Sequence, residues 1–161
     1  MMVHGVMISK DEEFHTHLRK LFASMDNMQL HYKWLISYYE CWPHDQSIKD
    51  LLLDKNHVIL DGTELTGIAE REDFQWIWGT FSAFDKSVPD DEILKHTLPE
   101  NDLYEGFWKL PLTIQHPLAK MEIVAFDSSY TLILTKDFSL LDVLRKAYPN
   151  AEDLAVINKN N

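Results

Sequence analysis

Apolar residues along this chain switch between helical spacing and strict alternation, and these switches mark the expected elements. An amphipathic helix is predicted near the N-terminus, where Ser9 and Glu12 form a capping-box pattern at its start. Its apolar stripe recurs every three or four residues: Phe14, Leu18, Leu21, Phe22 and Met25. A short β-branched run, Val3 to Ile8, precedes this helix and predicts a first strand.

Alternation takes over after Asn27. Residues 30–37 place apolar and polar side chains at every second position, which predicts a half-buried strand. The segment 46–53 is compatible with a short helix or a loop, and His57 to Leu60 predicts another strand. Asp61 is a candidate cap for a helix through Ala69, with Glu64 closing the box.

The stretch from Phe74 to Phe84 is the most aromatic of the chain. Strict alternation puts Phe74, Trp76 and Trp78 on one face. The other face receives Ile77, Gly79 and Phe81. This pattern fits a strand covered on both sides, or one that presents aromatic side chains to a partner.

The second half of the chain contains a long irregular excursion followed by a hairpin. Four of the six prolines lie in residues 88–117, with one short helix predicted near Asp91 to His96. The runs 121–126 and 130–135 flank Asp127-Ser128-Ser129, a turn-forming trio, and predict two paired strands. Ser139 is the candidate cap of a last helix, which ends at Pro149.

This order of elements lacks regular β-α alternation. It therefore predicts an α+β fold with a largely antiparallel sheet and helices packed on one side. No linker divides the chain, so residues 1–157 are expected to form a single domain. The polar tail 158–161 is expected to be frayed.

Charge and cysteine content narrow the classes of function. The chain has 161 residues and a formal net charge of −11, which repels phosphate backbones and argues against nucleic-acid binding. The single cysteine, Cys41, cannot form an internal disulfide. No apolar run resembles a signal peptide or a membrane span, so a cytoplasmic, membrane-free protein is expected.

The sequence contains none of the common catalytic signatures. The five glycines are isolated, so phosphate-cradling loops are absent, and no serine-hydrolase elbow occurs. His15 and His17 point apart on a helix, which disfavours a shared metal ion. Cys41 with a histidine, or acidic residues brought together by folding, remain candidates for an enzyme. The chain is expected to have no catalytic residues, no metal and no cofactor.

Acidic and aromatic side chains are interleaved within the excursion, and they form the candidate partner-binding set. Aromatic anchors inside a charged rim are typical of protein interfaces, although the same aromatics can turn inward and attach the excursion to the core. The set is Asp90, Asp91, Glu92, Glu100, Asp102, Tyr104, Glu105 and Trp108.

Three segments carry a resemblance to a known family. Residues 59–65, 78–84 and 124–130 resemble a family of small uncharacterised bacterial proteins found in Bacillus-like organisms. The resemblance spans about half of the chain and its motifs are structural rather than catalytic. It implies a bacterial, cytoplasmic origin and transfers no functional residue.

The leading hypothesis is an acidic protein-binding module without catalysis. In its concrete form the protein is an immunity-type inhibitor that masks a basic toxin, such as a nuclease. The alternatives are a small enzyme, and a homodimer completed through the aromatic strand at residues 74–84.

Overall fold

The computed structural model describes residues 2–9 and 15–160. Within these residues the chain forms one seven-stranded sheet in which every neighbouring pair is antiparallel, in the order β3-β2-β4-β5-β6-β1-β7. The strands are β1 (His4–Ile8), β2 (Tyr32–Cys41), β3 (His57–Asp61), β4 (Trp76–Asp85), β5 (Met121–Phe126), β6 (Tyr130–Thr135) and β7 (Glu152–Asp153). The predicted α+β fold with an antiparallel sheet is confirmed.

Four of the six described helices cover one face of this sheet, so the predicted packing of helices on one side holds for these four only. The helices are α1 (Leu18–Ser24), α2 (Gln46–Leu52), α3 (Gly62–Arg71), α4 (Asp90–Leu94), α5 (Phe138–Ala147) and α6 (Leu154–Lys159). The main core lies between the sheet and α1, α2, α3 and α5, and includes Trp34, Phe81 and Ile133. None of the described helices is long and apolar enough to cross a membrane.

Local sequence signals explain how several elements begin and turn. Asp61 accepts a hydrogen bond from the Thr63 amide at 2.9 Å, and Glu64 accepts one from the Asp61 amide at 3.0 Å, so the predicted capping box is present. The hairpin of β5 and β6 turns at residues 127–129, as the sequence predicts. Segment 46–53, which the sequence left open between helix and loop, forms α2.

Two helices differ from the prediction near their starts. The last helix is capped by Asp137, which accepts hydrogen bonds from both the amide and the hydroxyl of Ser139, so Ser139 lies inside the first turn. The predicted helix does not run unbroken from Ser9 to Met25: α1 begins at Leu18, because Thr16 has a left-handed φ of 57° and His17 bridges to Gln75. Glu12 of the predicted capping box lies outside the described residues.

The aromatic strand is also different from its predicted pattern. Irregularities in the pairing of β2 with β4 shift the register between Ser37 and Cys41, so the strict alternation expected for this stretch is broken. Trp76 packs against Phe81 at 4.9 Å, whereas Trp78 packs against Phe126 at 4.8 Å. Trp76 and Trp78 therefore do not share a face. β4 pairs with β2 and β5, so it has no free edge over Gly79–Ala83.

The second face of the sheet is covered by the excursion 88–117 together with α6. Phe107 and Leu112 of the excursion pack with Leu154 of α6 on Val124 and Leu132 of the sheet. Asn158 is buried in α6 and donates a hydrogen bond to the Phe107 carbonyl at 2.8 Å. The segment predicted as a frayed tail from residue 158 thus takes part in this contact.

Candidate binding surface

A row of small polar side chains on the sheet fixes the backbone of the excursion. Ser37 on β2 donates a hydrogen bond to the Pro99 carbonyl at 2.7 Å, and Thr80 on β4 donates one to the Glu100 carbonyl at 2.9 Å. Asn101 then donates to the carbonyl of Tyr38 on β2 at 3.1 Å. These bonds, which are buried or partly buried, hold three consecutive residues of the excursion against the sheet.

Glu122 on β5 extends this row with a carboxyl group that is 0% exposed. Its two oxygens accept hydrogen bonds from the backbone amide and the side-chain amide of Gln115, both at 3.2 Å. The Gln115 side chain also binds the amide and the carbonyl of Glu100, at 2.8 and 2.9 Å. Burial raises the pKa of Glu122 to about 7, and the two bonds from Gln115 offset part of this effect.

The aromatic members of the candidate set pack inward on the excursion. Tyr104 lies edge-on to Phe107 at 4.7 Å, and its hydroxyl is 2.9 Å from that of Thr113. Trp108 lies edge-on to Phe126 and Tyr130, at 5.6 and 5.8 Å. Both side chains are half-buried. They attach the excursion to the sheet, which is the second of the two arrangements that the sequence allows.

The acidic members of the set fall into two separate groups. Asp90, Asp91 and Glu92 lie on α4, where the Lys33 ammonium on β2 is 2.9 Å from Asp90. Asp102 follows Asn101, which binds Tyr38 further along the same strand. Five residues of extended chain separate the two attachment points, or about 17 Å at 3.3 Å per residue.

The two groups also differ in how their charge is compensated. In the α4 group, Asp90 pairs with Lys33 and Glu92 pairs with Lys95 at 2.6 Å. In the second group, Glu105 pairs with Lys109 at 3.0 Å, whereas Asp102 makes no ion pair with any described residue. Glu100, between the groups, is half-buried and contributes its backbone to the Gln115 contacts.

Several exposed side chains belong to segments that meet where β2 ends and β4 begins, and we call this surface the acidic end. Glu40 pairs with Trp78 in the sheet, and the Ser128 amide donates to the neighbouring Ile77 carbonyl at 3.1 Å. The hairpin turn therefore lies beside the start of β4, and the bond from Asn101 to the Tyr38 carbonyl brings the tip of the excursion near the end of β2. The acidic end consists of Glu40, Trp42, Asp102, Leu103 and Asp127.

The acidic end combines negative charge with two unusually exposed apolar groups. Glu40, Asp102 and Asp127 are exposed and make no ion pair among the residues that the structure describes. Leu103 is 82% exposed and Trp42 is 66% exposed. Large apolar side chains with carboxylates around them match the composition of a binding site for a cationic surface.

Comparison with known proteins places the chain in a family. Residues 3–161 match the family described as Protein of unknown function (DUF2691). The chain belongs to this family. No curated protein and no solved structure matches it.

For this member of the family, the cysteine that the sequence offers as a nucleophile is buried, and so is His116. Cys41 is buried, and burial together with Glu40 and Glu72 raises the pKa of its thiol to about 12. Because only the thiolate is a strong nucleophile, this thiol is unreactive at neutral pH. His116 donates to the Ile93 carbonyl and accepts from the Leu118 amide, and burial lowers its pKa.

Metal ligands and acidic pairs give no closer match to a catalytic centre. Within residues 2–9 and 15–160, no group of three histidine, cysteine, aspartate or glutamate side chains is arranged to hold a metal ion. His15 and His17 precede α1, so the helical spacing used to separate them does not apply. The carboxyl group of Glu122 is sealed beneath the excursion and has no access to solvent.

Sequence reasoning missed Glu40, Trp42, Asp127 and Glu122, and it left Leu103 out of the candidate partner-binding set although Leu103 lies among its acidic residues. A signal for Glu122 exists, because it is a lone acid inside the apolar run 121–126. Leu103 offers a weaker signal, as an apolar residue directly after Asp102 in a loop. Nothing in the sequence brings Trp42 together with residues 102 and 127.

Proposed function

We propose that this protein is a non-catalytic protein-binding module that captures a basic protein through its acidic end. The observation that carries the proposal is Leu103, which is 82% exposed beside Asp102. Covering an exposed leucine with a partner removes apolar surface from water, which lowers the free energy of the complex. The neighbouring carboxylates favour a cationic rim on that partner.

The anchoring of the excursion supports this function. Residues 99–101 are fixed to the sheet by the bonds from Ser37, Thr80 and Asn101. Leu103 therefore follows directly on a segment whose backbone is already ordered. Binding would then cost less conformational entropy than it would with a loop that orders on contact.

In its concrete form, the proposal is a bacterial, cytoplasmic immunity-type inhibitor that covers the active site of a basic toxin such as a nuclease. A net charge of −11 would accelerate association with such a toxin. Rapid capture is the property that an inhibitor of a toxin needs, since the toxin acts on its target until it is bound.

The test begins with affinity capture from a lysate of the source cells, at low and at moderate salt. We expect one basic protein to be retained in a stoichiometric amount and to be released by salt. The purified pair then gives association and dissociation rates. Failure to retain any basic protein at low salt would contradict the proposal.

Two charge reversals locate the surface. Asp102→Lys and Asp91→Lys change the net charge equally, but only the first lies at the acidic end. We expect Asp102→Lys to slow association at low salt by about tenfold or more, and Asp91→Lys to slow it much less. Leu103→Ala should accelerate dissociation by about tenfold. A larger effect of Asp91→Lys would assign the contact to α4 instead.

A further inference from the structure

A cleft of about 390 Å³ opens beside Trp42 at the acidic end. Its size falls within the range of small-ligand sites, roughly 300–1000 Å³. Trp42 and Phe74 supply aromatic surface, and Glu72 and Asp73 supply carboxylates. Trp42 is 66% exposed, whereas Trp34 and Trp76 are fully buried.

The loop that carries Trp42 is held in place by one of these carboxylates. Glu72 accepts hydrogen bonds from the backbone amides of His44 and Asp45, at distances of 2.8 to 3.0 Å. Asp45 in turn caps α2 by accepting a bond from the Ile48 amide at 3.1 Å. Trp42 is therefore exposed on an ordered loop rather than at a frayed chain end.

The negative charge of the cleft has no strong cationic partner. Neither Glu72 nor Asp73 forms an ion pair with a lysine or arginine in the described part of the chain. Asp73 accepts a bond from the backbone amide of Arg19 at 3.3 Å and lies 3.8 Å from the His17 ring. The Arg19 guanidinium itself binds the carbonyls of Ala69 and Glu70.

We infer that this cleft binds the guanidinium group of an arginine side chain on the basic partner. A guanidinium group is planar, so it can stack on the exposed Trp42 indole while it donates hydrogen bonds to a carboxylate. A lysine ammonium lacks the planar face and is more strongly hydrated. The inference rests on the proposed function for the identity of the partner, but the cleft can be tested without that partner.

The test uses N-acetyl-arginine amide as a probe, and N-acetyl-citrulline amide as its neutral isostere. NMR spectra of the labelled full chain resolve the indole N–H groups of the five tryptophans. We expect the arginine probe to shift the Trp42 signal saturably, with a dissociation constant in the millimolar range. The citrulline probe should leave the signal in place, since it lacks the charge.

Variants assign the binding to the cleft. Trp42→Ala lacks the indole reporter and is followed through the backbone amide signals of Phe74 and Gln75, which line the same cleft; it should abolish binding. Asp73→Asn, which keeps the size of the side chain, should weaken binding several-fold. Phe138→Ala removes another exposed aromatic residue, from the opposite end of the sheet, and should have no effect. Equal shifts with the citrulline probe, or undiminished binding by Trp42→Ala, would overturn the inference.

The outcomes for the cleft and for the proposed function are separable. If the arginine probe fails to bind while Asp102→Lys still impairs capture of a basic protein, the inference fails and the proposed function stands. If the probe binds at Trp42 but no basic protein is captured, the proposed function fails and the cleft remains a guanidinium site.

Discussion

The sealed carboxyl group of Glu122 makes the stability of this protein depend on pH. Burial raises its pKa in the folded protein from 4.5 to about 7. The folded chain then binds a proton more tightly than the unfolded chain, so Glu122 favours folding fully below about pH 4.5. This contribution is lost as the pH rises through about 7. At the rate of 1.36 kcal/mol per pKa unit, the loss amounts to about 3 kcal/mol.

The substitution Glu122→Gln isolates this effect. Glutamine is neutral at every pH, so the variant should not lose the stability that the wild type loses as the pH rises from about 4.5 to about 7. Between about pH 5.5 and 8.5, the difference in unfolding free energy should move by about 2 kcal/mol in favour of the variant. The glutamine amide also replaces one oxygen that accepts a hydrogen bond from Gln115. The loss of this bond lowers the unfolding free energy by roughly 1 kcal/mol at every pH, so the change of the unfolding free energy with pH is unaffected.

Urea denaturation followed by tryptophan fluorescence measures this difference. The pH range of these measurements should stay above the sequence pI of about 5.0. At its pI the protein has little net charge and low solubility. Glu40→Gln, which removes the same carboxyl group from an exposed position, controls for the change in net charge. A difference between wild type and Glu122→Gln that stays constant across the range would refute the reasoning, since Glu122 would then take up no proton on folding.

Two further predictions concern packing and reactivity. Gly62→Ala would place a methyl group 2.1 Å from the Gln29 carbonyl oxygen and 2.9 Å from that of Tyr32, so we expect a loss of at least about 2 kcal/mol in urea denaturation. Gly67→Ala on the same helix meets nothing within 4 Å and should be neutral or stabilising by up to about 1 kcal/mol, and equal effects of the two would contradict this account. The Cys41 thiol, with its pKa raised to about 12, should react with iodoacetamide at about pH 8 far more slowly in the folded protein than in urea. Comparable rates by mass spectrometry would show that the thiol is accessible.

The sequence predicts the parts of the fold whose signals are local. The capping box of Asp61 and Glu64 and the turn at residues 127–129 each depend on a few neighbouring residues, and both are present. The faces of Trp76 and Trp78 depend instead on irregular pairing between β2 and β4, which residues distant in sequence determine. Simple alternation therefore assigns these two tryptophans wrongly.

The candidate surface was harder to predict for a related reason. Asp90 and Asp102 are close in sequence, yet the excursion runs along the sheet between them, and their attachment points on β2 lie about 17 Å apart. Trp42 and Asp127 are distant in sequence from Asp102. The antiparallel pairing of β4 with both β2 and β5, however, brings the C-terminal ends of β2 and β5 to the same end of the sheet. Proximity in sequence grouped acidic residues that the fold separates, because the path of an irregular segment depends on long-range contacts.

The interior of the protein connects the candidate surface to the fold. Gln115 satisfies both backbone groups of Glu100, and it also donates to the buried carboxyl group of Glu122. Asp102 and Leu103 follow two and three residues after Glu100, so the order of the exposed tip depends on this contact. A carboxyl group that is unfavourable in the core is thus tied to the segment that presents the exposed leucine. In the proposed function, this anchoring orders the tip of the irregular excursion before the partner arrives. Binding then costs less conformational entropy than it would if the tip became ordered only on contact.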